Sequence, residues 1–325
     1  MQIFDSISAL EGIQKGWALT IGNFDGVHLG HQEIIKAAKA AGRDRGTGGL
    51  AVMTFEPHPA TILHPQKTPQ VLTSLELKKH LLEGWGVDCL IVLKDSFKLL
   101  NLAPKDFVDE FLMKHIEPKV VVEGRNFNFG YGRSGDAQTL KELGAERGFE
   151  VIIVPAKEAT LADGQTAVCS SSMIRGFLER GEVANAAAAI GRCYRLMGAT
   201  MAGRGVGAEL GFPTANIQPA EQIIPPEGVY AGFVGAGSGL ADVCASGCVR
   251  PAAISIGRAK TFVSNHPLMV EAHILEDKVE DLSGKWLAID FAKRIRGQQR
   301  FETKEQLAQQ IARDCKKAKQ ILISK

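Results

Sequence analysis

The chain has 325 residues, 45% of them hydrophobic and 23% charged, with a formal net charge of +2. That length is about twice a typical domain, which predicts two domains, and the composition excludes disordered, collagen-like and disulfide-scaffold classes. No apolar run approaches the roughly 18 residues of a membrane span, and Met1-Gln2-Ile3-Phe4-Asp5 lacks the basic-then-apolar order of a secretory signal.

Along the first half, apolar runs alternate with helical patterns. Strands are predicted at Ala18–Ile21, Leu50–Phe55, Cys89–Leu93, Lys119–Val122 and Val151–Val154. Helices are predicted around His31–Ala41, Ser74–Trp85, Pro104–His115 and Gln138–Arg147. This alternation argues for an α/β doubly wound parallel sheet, in which ligands bind outside the carboxyl ends of the strands. Four polar, glycine-bearing segments follow strand ends: Gly22–His31, Glu56–His58, Glu123–Gly130 and Cys169–Arg175. They are expected to converge on one crevice.

Residues 172–192 read as helical, and after Gly191 the texture changes. Arg195–Met201, Val229–Val234, Ala252–Ile256, Met269–Leu275 and Trp286–Phe291 look like strands separated by glycine turns, an all-β module of small-barrel type. Leu307, Ile311, Cys315 and Ala318 then recur at helical spacing, and Thr303 with Gln306 reads as a capping box, so a C-terminal helix closes the chain. Residues 292–325 hold ten Lys/Arg against three Asp/Glu, read as the solvated face of that docked helix. The boundary is placed near residue 186, giving domains 1–186 and 187–325. The six cysteines, scattered without metal-type spacing, read as reduced thiols of a cytoplasmic protein.

The strongest motif is Gly22-Asn23-Phe24-Asp25-Gly26-Val27-His28-Leu29-Gly30-His31, between a strand and a helix. Its glycines permit close backbone approach, and amides at a helix start favour an anion. Histidines three apart at a helix entrance face the same way, so His28 and His31 can donate to oxygens that gain charge at a triphosphate. Zinc is the rival chemistry, but no third ligand lies nearby.

This motif resembles the nucleotide-binding signature of the bacterial bifunctional riboflavin kinase/FAD synthetases, within the HxGH nucleotidyltransferase superfamily. The resemblance extends through Phe55-Glu56-Pro57-His58-Pro59, Gly124-Arg125-Asn126-Phe127-Asn128-Phe129-Gly130 and Ser170-Ser171-Ser172-Met173-Ile174-Arg175, with Ser172 where the family usually has Thr. It implies an FMN adenylyltransferase in residues 1–186. His28 and His31 would hold the ATP phosphates, and Arg175 would stabilise the departing pyrophosphate. Gly22, Asn23, Phe24, Asp25, Gly26, Gly30, Asn126, Ser171 and Ser172 would complete its nucleotide site.

In the second half, Gly203, Gly205, Gly207 and Gly211 make a loop suited to phosphates, but no Gly-Lys-Ser/Thr of a P-loop follows. Leu210-Gly211-Phe212-Pro213-Thr214-Ala215-Asn216 is similar to the PTAN motif of riboflavin kinases. The resemblance implies a six-stranded barrel kinase in which Thr214 and Asn216 coordinate the Mg2+ of MgATP, with the four glycines and Pro213 against nucleotide or flavin. Oxygen ligands suit that hard cation. Glu271, in Val270–Leu275, stands at the family's general-base position, and strand alternation puts it on one face with His273. The barrel departs from the family pattern at Ala208, Ser255, Lys260, Ser283 and Gln298.

The expected function is therefore bifunctional flavin cofactor synthesis: riboflavin to FMN, then FMN to FAD, with ATP as co-substrate in both steps. Neither a membrane nor a nucleic-acid partner is expected. One alternative is an FMN adenylyltransferase whose barrel has lost kinase activity. Another, more remote, is a flavin- or RNA-binding regulator without turnover.

Overall fold

The apolar runs of the first half become strands of one parallel sheet, because runs buried on both faces need helices above and below. The computed structural model describes residues 1–94, 96–202, 206–219, 221–258, 268–276 and 279–323. Two compact units divide the chain, Met1–Pro69 with Lys78–Ala159 and Gln70–Leu77 with Thr160–Lys325.

In the first unit the sheet strands are β1 (Gln2–Phe4), β2 (Ala18–Ile21), β3 (Leu50–Phe55), β4 (Cys89–Leu93), β5 (Val120–Gly124) and β6 (Glu150–Val154). Their spatial order is β1-β4-β3-β2-β5-β6, and all neighbours are parallel. Helices α1 (Leu29–Asp44), α2 (Leu75–Gly84, of which 78–84 belong to this unit) and α3 (Ala137–Arg147) alternate with the strands. Every residue of β2 and β4 is buried, and each fully buried Leu, Ile or Val side chain contributes about 1.5–3 kcal/mol. The edge strand β1 is absent from the sequence reading. It has three residues, two of them exposed, too few to show a period.

From β2 the chain winds outward through β3 and β4, then returns to β5 on the other side of β2. That reversal makes the β2/β5 boundary the topological switch point. The two strands pair only at Ala18↔Val120 and Leu19↔Val121. Beyond that register the two strands do not pair, and this is where the topology rule puts a ligand crevice.

The helical stretch 172–192 is two helices, α4 (Ser171–Glu179) and α5 (Val183–Ile190), broken at Gly181 with φ of 75° and closed at Gly191 with φ of 82°. Both values favour glycine. Helix α4 packs on α5, and α5 packs on barrel strands. Compactness therefore groups residues 160–186 with the barrel, whereas the sequence boundary near 186 follows the change in texture.

The barrel is closed, with strands β7 (Tyr194–Met201), β8 (Ala215–Pro219), β9 (Gly228–Gly237), β10 (Arg250–Arg258), β11 (Leu268–Ile274) and β12 (Trp286–Arg296) in the order β7-β8-β11-β10-β9-β12. All the pairings described are antiparallel. Strand β8 is the one that the sequence reading took as motif only. Glycine is required at Gly198, where an added Cβ would lie 2.2 Å from the Gln218 carbonyl oxygen.

The C-terminal helix α6 (Lys304–Ile323) docks through Ala318 and Leu322 onto Ala231, Ala253 and Ala292. Half of the expected capping box is present: Thr303 Oγ1 accepts the Gln306 amide at 3.2 Å, whereas Gln306 Oε1 accepts the amide of Glu302, one residue before the cap, at 3.2 Å. Asp314, buried on this helix, pairs with Arg296 at 2.6 Å. Arg313, Lys316, Lys317 and Lys319 are exposed.

None of the six cysteines forms a disulfide, and burial pushes the Cys89 and Cys248 thiols up to about 12. Among the described residues no helix is long and apolar enough to cross a membrane. Nor do three or more His, Cys, Asp or Glu cluster for a metal.

Candidate functional site

At the end of β2 the chain leaves the sheet through a tight turn held in costly backbone conformations. Phe24 has φ of 46° and β-branched Val27 has φ of 40°, with Gly26 at 85° between them. Each non-glycine outlier costs about 1–3 kcal/mol, strain of the kind that collects at functional sites. The Val27 amide donates to the Phe24 carbonyl at 3.2 Å, and Gln32 Nε2 donates to the Val27 carbonyl at 2.9 Å. His28 is the N-cap residue of α1, and Gly30 and His31 lie in its first turn.

The two imidazoles stack, with ring centroids 3.7 Å apart and planes 22° apart, and the Phe24 ring lies 4.9 Å from His31. His28 and Asp25 are buried. His31 Nδ1 is also buried and has no hydrogen-bond partner among the described residues. Burial holds the His31 imidazole well below its usual pKa, helped by the charges of His28 and Lys78. His31 is thus neutral near pH 7, with one ring nitrogen to donate and one to accept.

Three of the four predicted segments meet here. The Asn23 side-chain amide lies 3.0 Å from His58 Nε2, and the Asn23 carbonyl accepts the Thr54 hydroxyl at 3.1 Å. His58 Nδ1 accepts the Ala60 amide at 3.1 Å, capping the short helix Pro59–Leu63. From the β5 side, Glu123 Oε1 accepts the Ile21 amide at 2.6 Å and the Thr20 hydroxyl at 3.5 Å. Its side chain bridges the gap where β2 and β5 stop pairing. Burial raises the Glu123 carboxyl well above its usual pKa. Asn126 sits in the turn after β5, closed by the Phe127 amide on the Gly124 carbonyl at 2.9 Å, and is exposed.

The fourth segment, 169–175, belongs to the second unit. Ser170 caps α4, its Oγ accepting the Met173 amide at 3.2 Å, so the serine run serves partly as a helix start. Ser171 and Ser172 form the first turn, with Ser172 exposed. One helical turn on, Arg175 Nε donates to the Gln70 carbonyl at 2.7 Å.

The barrel carries a cleft of about 1280 Å3 lined by Thr200, Gly211, Pro213, Thr214, Asn216, His273 and Ser283 among others. Val206–Glu209 form one helical turn, and the Phe212 amide donates to the Gly207 carbonyl at 2.8 Å, tucking the glycine loop under the Pro213 turn. Gly211 takes φ of 85°. His273 Nδ1 lies 2.8 Å from the Pro213 carbonyl, so that nitrogen carries the proton. Gly203 and Gly205, Lys260 and the side chain of Ala208 lie outside the described residues.

On β11, Val270, Ala272 and Ile274 are buried while Glu271 and His273 are half-buried, as strand alternation predicts. Glu271 stands directly opposite Asn216 on β8 and Ser255 on β10, so the three share one face. Ser255 and Gln298, both departures from the family pattern, lie together: Gln298 Nε2 is 3.3 Å from Ser255 Oγ. Asn216 is 7% exposed, yet its Oδ1 has no hydrogen-bond partner among the described residues. A buried amide oxygen in a cleft that Thr214 also lines is a fit for a hard cation, which takes neutral oxygen donors.

Sequence reasoning named Glu123 only as the start of the segment 123–130 and did not single out Lys78, whose charge acts on His31. Glu123 was visible as an acid ending an apolar strand, and Lys78 was masked by a helix that also carries Lys79 and His80.

Two family models match the chain in turn. Residues 10–172 match the FAD synthetase family model, and residues 190–322 match the riboflavin kinase model. The bifunctional riboflavin kinase/FMN adenylyltransferase of Escherichia coli K12 is 34% identical over 301 residues, covering 93% of this chain and 91% of that protein. The protein of the same name from Bacillus subtilis 168 is 33% identical over 303 residues, covering 92% and 90%. A solved Streptococcus pneumoniae structure, titled a macrolide-efflux protein, superposes with a TM-score of 0.81 at 27% identity over 97% of both chains. With an FAD synthetase domain followed by a riboflavin kinase domain, the chain belongs to the bifunctional riboflavin kinase/FMN adenylyltransferase family.

Proposed function

We propose that this chain phosphorylates riboflavin to FMN in domain 187–325 and adenylylates FMN to FAD in domain 1–186, using ATP in both steps. The observation that carries this reading is that each family-matched segment holds its own chemically equipped site. One is the stacked His28–His31 pair at the switch point, and the other is the Asn216–Glu271–Ser255 row beside the barrel cleft.

In the kinase step a ribityl hydroxyl oxygen attacks the γ-phosphorus of ATP, the bond to the β,γ-bridging oxygen breaks, and ADP leaves. Glu271, a carboxylate on the cleft-bearing strand, takes the hydroxyl proton. Thr214 and Asn216 would hold Mg2+, which when bound neutralises phosphate charge. Gly207, Gly211 and Pro213 shape the loop that faces nucleotide or flavin.

In the adenylyl step the FMN phosphate oxygen attacks the α-phosphorus and pyrophosphate leaves with the electrons of the broken P–O bond. The attacking phosphate is already ionised, so the site needs positioning and charge stabilisation more than a base. His28 and His31 donate hydrogen bonds to phosphate oxygens. Gly22, Gly26 and Gly30 let the backbone approach them, and Asn23, Phe24 and Asp25 hold the turn's shape. Asn126 belongs to that site, and by the family resemblance Ser171 and Ser172 bind nucleotide and Arg175 pairs with the leaving pyrophosphate as a planar fork.

We place the enzyme in the cytoplasm, with riboflavin, FMN and ATP as its partners. A chromatographic time course of the protein with riboflavin, ATP and Mg2+ checks this, alongside a sample started from FMN. The expected result is FMN followed by FAD in the first and FAD in the second. FAD only from supplied FMN would leave a working adenylyltransferase with a silent barrel, and no product in either would overturn both assignments.

A further inference from the structure

Lys78 is a buried cation that the fold leaves short of partners. It is 5% exposed, and among the described residues its ammonium makes one hydrogen bond, at 3.5 Å to Thr54 Oγ1. An ammonium has three protons to donate, and burying it without an ion pair costs several kcal/mol. An apolar side chain would fill the same space without that penalty, so stability alone does not account for a lysine here.

Its location supplies the reason. Thr54 donates its own proton to the Asn23 carbonyl at 3.1 Å, so Lys78 hangs from the same turn that presents His28 and His31. The acids that act on it are Asp25, in that turn, and Glu56, at the end of β3. His31 is neutral near pH 7, held so partly by the charge of Lys78. Among the described residues of the first unit, Lys78 is the one Lys or Arg classed as buried. Burial lowers its pKa from the usual lysine value while Asp25 and Glu56 raise it, and when protonated it brings positive charge to a site whose imidazoles bring hydrogen-bond donors.

We propose that Lys78 is a catalytic residue of the adenylyl-transfer site, its buried ammonium contacting a polyphosphate oxygen of the nucleotide and the charge that grows on departing pyrophosphate. This deepens the adenylyltransferase reading and rests on it. Lys78 neither gives nor takes a proton. The electron pair of the breaking P–O bond goes to pyrophosphate, and the ammonium stabilises it by charge and hydrogen bonding.

The test uses full-length Lys78→Met and Lys78→Gln beside the wild type. Three readouts are taken: FAD formed from FMN and ATP, FMN formed from riboflavin, and the shift in unfolding temperature on adding pyrophosphate alone. Both variants are expected to fold, to form FMN within about twofold of wild type, and to lose about 10²-fold in FAD formation. They should also lose the stabilisation that pyrophosphate gives the wild type. FAD formation near the wild-type rate in either variant overturns the proposal, and so does failure of both to fold, which would make Lys78 structural. A wild type that forms no FAD overturns the adenylyltransferase reading. Lys78-dependent binding of pyrophosphate would then still support an anion site.

Discussion

The two sites of this chain are built on opposite principles. In the first unit, the sheet's winding reverses beside β2, its strands part after two residue pairs, and the end of β2, from which the Gly22–His31 turn departs, is braced across the gap by Glu123. The place of the site follows from topology. Among the described residues the barrel sheet is closed and has no such gap. There the candidate residues stand on one face of three adjoining strands, Asn216, Glu271 and Ser255 in register, and the cleft beside them is lined by strand residues such as Thr200 and His273, by loop residues such as Pro213 and Ser283, and by Cys315 and Lys319 of α6. A site made by a sheet's winding is held by the core, whereas one made by a strand face depends on the loops that cover it.

The largest way to break this comparison is at Glu271. Glu271→Gln keeps the size and removes the base, so FMN formation should fall by about 10²–10⁴-fold while FMN is still converted to FAD. An unchanged kinase rate would remove Glu271 from the chemistry. The mirror experiment, His28→Ala with His31→Ala, should cut FAD formation by about 10²–10³-fold and spare FMN formation. Near-normal FAD synthesis by that double variant would mean the site lies elsewhere.

A finer test sits at Asn216, whose buried Oδ1 has no hydrogen-bond partner among the described residues. Asn216→Ala should raise the Mg2+ concentration needed for half-maximal kinase activity by about 10–100-fold. Because no bond to that oxygen is lost, the unfolding temperature should move little, and a large drop would point to a structural amide instead.

The smallest effect concerns pH. Glu123 has a folded-state pKa raised well above 4.5, so the folded state holds its proton longer than the unfolded chain. Its contribution is complete below about 4.5 and is lost as pH rises toward the raised value. His31 acts in the opposite sense: its lowered pKa costs stability as pH falls below about 6.5, in wild type and variant alike. Relative to Glu123→Gln, the wild type should therefore lose about a few degrees of unfolding temperature from about pH 5 to about pH 8. Parallel pH profiles would contradict the buried, protonated carboxyl.

Much of the fold could be read from the sequence because the physics that sets it is local. Fully buried strands such as Cys89–Leu93 declare themselves as unbroken apolar runs, and the glycines around Asp25 announce a turn where a backbone must come close. What escaped was short or nonlocal. The three residues of β1 have no period to detect, and β8 reads as a motif because Pro213 and Asn216 obscure its alternation. Glu123 is visible as the acid that opens the segment 123–130, but its role is not, because its partner Ile21 lies far along the chain, and Lys78 could not be singled out for the same reason, with Thr54 as its partner. The break between α4 and α5 escaped as well, although Gly181 marks it, because apolar spacing continues across it.

The most direct test of two separate working sites is to mix Glu271→Gln with the His28→Ala, His31→Ala double variant and supply riboflavin, ATP and Mg2+. Each protein alone should make little or no FAD from riboflavin, and the mixture should make it, with FMN released by one serving as substrate for the other. A mixture that makes no more FAD than its parts would contradict the account.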